Sequence, residues 1–582
     1  MILQSLQELY RRLGDELPEP GFERKEIPFI IVLDSEGNFV DLEDTRTGEG
    51  KKKVGRFFVV PQGEKKAAGI LANLLWDTCG YVLGIVSGTK AAKLSPEKLL
   101  KEQSRTEKMH AAFIQRIRDT FADPEADAGI RTVLNFLEKQ DFTALEAHPN
   151  WPDLKDSTGI TTFRLAGENE LICQRRMVRH AIACSDSGNE SSYCLVSGEN
   201  DRIARLHPAI RGVWGAQAAG GNIVSFNFGA TESYNKKQGA NAPVGESTVF
   251  SYTTALNHLL RKGSRQRMQV GDASTVFWAE KSHPVDDDFL DWIESDEDDP
   301  AQRTNKIRAL YAAPKTGVNP LDEDTTKFFV LGLAPNNARL AVRFWHQTTV
   351  GDLAYHIRQH FDDLRLEHGP QASEYPKLSR LLASTALQSK LDNVIPNLAG
   401  EVMRAILAGT PYPRTLLSAA LRRIRAEQKV TYERAALIKA VLARNTRLSQ
   451  TNQQEVAVSL DENNINTGYR LGRLFAVLER AQEAASPGIN ATIRDRFYGS
   501  ASATPVTVFP HLLKLKNHHI AKLDNRGQAV NLEKLIGQIV DEISDLPGQL
   551  SLEDQGRFAI GYYHQRQAFY RKKENPADQG EE

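Results

Sequence analysis

The sequence predicts an α+β protein: a mixed α/β N-terminal domain over residues 1–385, then an all-α helical bundle over 386–582. Three observations carry this. Strand-like apolar runs recur among helical segments through the first half. From about Ser373 onward they vanish, and apolar residues return at helical spacing, as in Leu416, Leu417, Ala420, Leu421 and Ile424. At 582 residues the chain is also too long for one compact core.

Leu3 to Leu13 reads as a helix, Ile27–Leu33 as a strand, and Asp34-Ser35-Glu36-Gly37 as a turn into a second strand. Further strand-like runs are Gly55–Val60, Asn222–Phe228, Ser274–Ala279, Lys327–Gly332 and Arg339–Trp345, with helices such as Thr248–Leu260 between them. In the second half Thr410-Pro411-Tyr412-Pro413, Ser486-Pro487-Gly488 and Leu546-Pro547-Gly548 punctuate helices, because proline cannot continue the hydrogen-bond ladder. Several antiparallel helices follow. Ser551 stands before Leu552 with Asp554 at the capping-box position. Arg571, Lys572 and Lys573 suit the far end of the dipole, so the last helix should run close to residue 572 and the tail Glu574–Glu582 should fray.

With 41% hydrophobic and 25% charged residues, this is an ordinary globular composition. The N-terminus is too polar for a secretory signal, and Phe328-Phe329-Val330-Leu331 stops far short of a membrane span, so the expectation is a cytoplasmic protein with no membrane partner. Cys79, Cys173, Cys184 and Cys194 are too irregularly spaced for a zinc ribbon and read as buried free thiols. The net charge of −1 hides an asymmetry: Asp286 to Asp299 holds nine acidic residues and no cation, whereas Met403 to Gln450 holds ten cations against Glu427 and Glu433.

No catalytic signature is written in the chain. Gly84-Ile85-Val86-Ser87-Gly88-Thr89-Lys90 lacks the spacing of a phosphate loop, there is no HExxH, and His518-His519 would point their rings about 100° apart on a helix. The acidic stretch reads as a solvated loop. The expectation is a binding protein with no catalytic residues, cofactor or metal; the alternative is a stand-alone metal-dependent nuclease of a defence system.

Nucleic acid could be held in three places. Lys51, Lys52, Lys53, Arg56, Lys65 and Lys66 surround a short strand within reach of phosphates, or form a solvated loop. The run Ile223–Phe228, which includes Asn227, enters a polar loop with Ser233, Lys236, Lys237, Gln238 and Asn241, whose amides and hydroxyls suit base edges and backbone oxygens, or serve only as turn chemistry. In the helical half Arg470, Arg473 and Arg480 share a face, as do His511, Lys514, His518 and Lys522; such stripes pair with acidic neighbours or follow a phosphate chain.

The stretch Val224-Ser225-Phe226-Asn227, Ser233-Tyr234, Gln238-Gly239-Ala240-Asn241-Ala242-Pro243-Val244 and Tyr252-Thr253-Thr254-Ala255-Leu256-Asn257 resembles the central signature of the large subunit of the subtype I-C CRISPR-Cas surveillance complex (Cascade), the Csd-type large-subunit family. The likeness extends over essentially the whole chain. It includes Tyr81-Val82-Leu83-Gly84, Ala204-Arg205-Leu206-His207-Pro208, Gly271-Asp272-Ala273, Pro411-Tyr412-Pro413-Arg414, Tyr469-Arg470-Leu471-Gly472-Arg473 and Gly561-Tyr562-Tyr563-His564.

That resemblance implies a non-catalytic DNA-binding component of a crRNA-containing ribonucleoprotein complex for antiviral defence. Its expected partners are repeated backbone subunits, the crRNA 5′-handle subunit, target duplex DNA and the displaced strand, and a recruited helicase-nuclease. It would recognise the protospacer-adjacent motif (PAM) and promote R-loop formation, while RNA–DNA pairing reads the remaining sequence. Asn73 is the first candidate for reading a PAM base edge; it could equally satisfy a buried backbone group. Residues from about 456 to 582 would be equivalent to a small subunit, with copies made from the same gene by an internal translation start at Met403 or, for the favoured shorter product, near Val456 or Val458.

Overall fold

The computed structural model describes residues 1–48, 53–64, 69–156, 159–183, 191–294, 300–311, 321–449 and 456–570. The fold is α+β, with mixed structure early and helices late. Its contacts form two compact units, each assembled from separated segments. One comprises Met1–Arg12, Ala209–Ser225 and Leu256–Glu582; the other comprises Leu13–Pro208 and Phe226–Ala255.

In the Leu13–Pro208 unit, strand β1 (Phe22–Ile27) pairs antiparallel with β4 (Arg56–Pro61). A four-stranded sheet joins β3 (Phe39–Asp44), β2 (Phe29–Leu33), β6 (Ile160–Leu165) and β5 (Trp76–Thr78) in that order, with β2 and β6 parallel. The expected single strand Ile27–Leu33 is therefore two strands in two sheets, divided at Pro28, which has no N–H to give a ladder. All five residues of β2 are buried, as a strand packed on both faces requires. Helices α1 (Ile2–Leu13, of which Met1–Arg12 groups with the other unit), α2 (Pro96–Thr120) and α3 (Ala128–Lys139) follow the expected amphipathic logic. Phe113 and Ile117 of α2 and Ile130, Val133 and Leu137 of α3 close the core beneath the sheet with Phe163. A small hairpin pairs β7 (Ser191–Tyr193) with β8 (Asn200–Arg202).

The other unit carries an antiparallel meander of β9 (Arg267–Val270), β10 (Ala273–Ala279), β11 (Lys327–Asn336) and β12 (Arg339–Thr349). No strand of the described residues follows Thr349. The chain continues as α5 (Val350–Leu364), α6 (Leu398–Ala408), α7 (Arg414–Glu427), α8 (Tyr432–Ser449), α9 (Thr467–Ala485), α10 (Ile493–Ala503), α11 (Pro505–Ala521), α12 (Arg526–Asp541) and α13 (Leu552–Tyr570), after α4 (Glu246–Leu259) earlier in the chain. One hydrophobic core runs from Met268 to Tyr563, so the change of element type near residue 385 falls inside a continuously packed body.

Two features fasten these helices. Arg444, fully buried, bonds Asp363 of α5 at 2.7 Å and the Ala405 carbonyl of α6 at 2.9 Å, with its guanidinium 4.1 Å from the Tyr412 ring centre. Such a buried pair adds little net stability, yet losing one partner strands the other charge. Helices α9 and α13 meet backbone to backbone through glycines: a Cβ on Gly472 would lie 2.0 Å from the Phe558 carbonyl oxygen, and one on Gly561 2.1 Å from that of Tyr469. At the start of α13, Ser551 Oγ accepts the Asp554 N–H at 3.0 Å, as the sequence suggested. Arg571–Lys573 and the tail lie outside the described residues.

Asn222–Phe228 is not a strand. Its only ladder contact is a single bridge from Asn222 to Arg339. Val224, Phe226 and Phe228 alternate with polar residues in the sequence, which fits a half-buried surface whether or not a partner strand is present. Cys79, Cys173 and Cys194 are free and buried; burial pushes the first two thiols up to about 12. Cys184 lies outside the described residues.

Candidate nucleic-acid interface

The polar loop after Phe226 is built to hold one shape. Asn241 accepts the Ser233 N–H at 2.9 Å and donates to the carbonyls of Lys236 (2.9 Å) and Gln238 (3.0 Å), so its amide is consumed in stitching the loop. Tyr234, Asn235 and Gln238 take left-handed backbone conformations with φ of 52°, 57° and 49°. Gly239 seats the loop: its N–H donates to the Arg205 carbonyl at 3.0 Å, and a Cβ there would sit 2.1 Å from the Ala204 carbonyl oxygen. At the far end Asp201 accepts from the Ser247 N–H and hydroxyl at 3.1 and 2.6 Å, fixing the first turn of α4.

The loop exposes several of its side chains. Tyr234 is 95% exposed, and Asn227, Phe228, Ser233, Lys236 and Lys237 are exposed beside it in sequence, while Gln238 is half-buried. An aromatic ring and ammonium groups on a rigid loop form a surface suited to stacking on a base and holding a phosphate.

The other sequence candidates divide sharply. Lys51, Lys52, Lys65 and Lys66 lie outside the described residues. Lys53 approaches Asp153 at 3.9 Å, and Arg56 lies 3.7 Å from Glu43 with its guanidinium 4.7 Å from the Phe58 ring centre; both remain largely exposed. Asn73 is only 5% exposed, and its side-chain oxygen accepts the Glu64 N–H at 2.9 Å, which is the backbone-satisfying alternative of the sequence reading rather than an amide offered to a base.

Arg470 and Arg473 do not form a surface stripe. Arg470 bonds the Asn464 carbonyl at 2.6 Å and the Glu542 carboxylate at 2.8 Å; Arg473 is buried and bonds Gln565 and the Glu462 carbonyl, each at 3.2 Å. Helix α9 is covered on nearly every side, so a shared face there is a packed face. Arg480 stays partly exposed, 3.7 Å from Glu483. On α11, by contrast, His511, Lys514 and His518, with Lys522 just beyond, are exposed, and neither lysine joins an ion pair among the described residues.

Among the described residues no group of three or more His, Cys, Asp or Glu side chains is placed to hold a metal ion, and no helix is long and apolar enough to cross a membrane.

Residues 6–570 match the family of CRISPR-associated protein (Cas_Csd1). The chain belongs to this family. No curated protein matches it. In this CRISPR-associated protein, side-chain contacts join signature segments in pairs. His207 Nδ1 lies 2.6 Å from the Tyr252 hydroxyl, joining two of them, and His564 Nδ1 lies 2.9 Å from the Tyr469 hydroxyl, joining two more. Membership implies a place in a multi-subunit CRISPR complex.

The sequence reading missed a basic face on α2. Lys98, Lys101, Arg105 and Lys108 repeat at helical spacing and are exposed. Glu97, Glu102 and Glu107, interspersed among them, dilute the local net charge and mask the spacing.

Proposed function

We propose that this chain is the non-catalytic large subunit of a type I-C Cascade: within the cytoplasm it inspects duplex DNA for a PAM, promotes R-loop formation, holds the displaced strand along its helical region and helps recruit the helicase-nuclease. Beside the family match, the observation that carries this reading is the stitched loop from Phe226 to Ala242, which offers Tyr234, Lys236 and Lys237 from a fixed backbone. Preorganisation matters because a loop ordered in advance loses little entropy on binding. The exposed Lys514 and Lys522 on and beyond α11 suit a single strand's phosphates.

The reading includes a small-subunit-like product from the same gene. Met403 is buried in the middle of α6, so a start there would begin inside a helix, whereas a start near Val456 or Val458 precedes α9 to α13, which pack on one another. Intact-mass spectrometry of the expressed complex identifies the first residue of that product; full-length chain alone refutes it.

The central experiment measures binding of assembled complex to duplexes with and without a PAM, for wild type and for Tyr234→Ala with Lys236→Ala and Lys237→Ala. Loss of PAM-duplex binding with no change in crRNA content is expected, and wild-type binding by the triple variant refutes the assignment. Purified complex with divalent metal and DNA should leave the DNA uncut.

A further inference from the structure

Helix α2 is 25 residues long, yet its buried side chains begin only at Thr106 and continue through His110, Phe113 and Ile117. None of the first ten residues is buried, and Leu100 is 68% exposed. That half of the helix therefore receives almost none of the tertiary burial that ordinarily sustains a helix in water. It carries Lys98, Lys101 and Arg105, with Lys108 continuing the line. At 100° per residue these four fall within about 80° of one another, and the buried face is centred about 130° away. Their rise from first to last is about 15 Å.

Most of this charge is uncommitted. Glu102 is turned toward Lys90 at 2.5 Å and reaches Arg105 at 3.8 Å, but Lys98, Lys101 and Lys108 join no ion pair among the described residues. Glu107 is on another face, and Glu97 sits in the first turn, where an acid complements the helix dipole. Within about 15 Å of axis one strand of a duplex presents roughly four phosphates, about the number of cations on the stripe. Lysine supplies flexible point charge without the planar fork that reads bases, so the match is to a backbone and not to a sequence.

We propose that the N-terminal half of α2 is a rail for the sugar–phosphate backbone of target duplex DNA, separate from the loop that inspects bases. This rests on the reading that the assembled complex binds a PAM-containing duplex.

The test is Lys98→Gln, Lys101→Gln and Lys108→Gln together, in assembled complex, titrated with PAM and non-PAM duplexes across a range of salt. Removing three phosphate contacts should lower the slope of log affinity against log salt by up to about 2.7 and weaken both duplexes by the same factor, at least about tenfold at 0.1 M salt. The PAM preference and the bound crRNA should not change. Acylation footprinting of wild-type complex gives a second measurement free of any folding effect, with these three lysines expected to be protected when duplex is bound. Unchanged affinity and slope, or equal labelling with and without duplex, overturns the rail while leaving the functional reading intact. Loss of crRNA with duplex affinity retained assigns the stripe to RNA and overturns the duplex assignment. A wild-type complex with no duplex affinity overturns both.

Discussion

Replacing Gly472 by Ala tests the close crossing of α9 and α13. The added methyl would sit 2.0 Å from the Phe558 carbonyl oxygen and 2.9 Å from the Tyr562 nitrogen, both backbone atoms that cannot rotate away. The helices must separate by about an ångström or more, opening contacts of Phe475 with Phe558 and Tyr562. Overpacking of this kind costs about 1–3 kcal/mol, and the upper end applies where the obstruction is backbone. Alanine returns about 1 kcal/mol through helix propensity, leaving a net loss of about 2 kcal/mol. Gly537 on α12 provides the internal control: it is helical, exposed and has nothing within 4 Å of its Cβ position, so Gly537→Ala should stabilise by about 0.5–1 kcal/mol. Urea unfolding followed by far-ultraviolet circular dichroism reads both shifts. A Gly472→Ala midpoint at or above wild type, with Gly537→Ala behaving as expected, refutes the packing argument.

Asn241→Ala should unstitch the loop by removing one acceptor and two donated bonds; hydrogen exchange of the Ser233 amide should accelerate, and PAM-duplex affinity should fall without loss of global stability. Glu479→Ala strands the Tyr562 and Thr492 hydroxyls, which donate to its buried carboxylate at 2.6 and 2.7 Å, and should cost about 3–5 kcal/mol in the same urea assay. Burial, aided by the charges of Arg444 and Arg303, pushes the His360 imidazole down to about 3. Below about 6.5 the unfolded chain therefore binds a proton that the folded chain refuses, so stability falls as pH drops toward 3; His360→Gln should flatten that slope, and an unchanged slope would count against it.

The sequence made most regular elements legible because period and punctuation are local. Ser551 and Asp554 mark the start of α13, and the apolar run from Phe328 to Leu333 marks a strand buried along its length. What it could not convey was which faces are covered. Arg470 and Arg473 share a helical face, but only the structure places Asn464, Glu542 and Gln565 against it. Small residues at Gly468, Gly472 and Ala476 on the same helix were the available signal that another helix lies close. Asn73 and Asn241 were legible as amides with work to do, but an amide that satisfies a backbone and one that reads a base look alike in one dimension. The Asn222–Phe228 run misled because half-burial and strand pairing impose the same alternation.

The bond between Arg12 and Asp286, 2.9 Å long, joins α1 to residues 274 positions later in the chain. At synthesis rates of about 5–20 residues per second, roughly 14 to 55 s pass between emergence of the helix and emergence of its partner. Until Ala209–Ser225 emerges, the nascent chain carries an amphipathic helix whose apolar side, Leu6 and Leu9, has nothing of its own unit to pack against. The other unit can finish folding once Phe226–Ala255 has arrived, before half the chain has been made, whereas completion of the unit that holds α1 waits for the C-terminal helices.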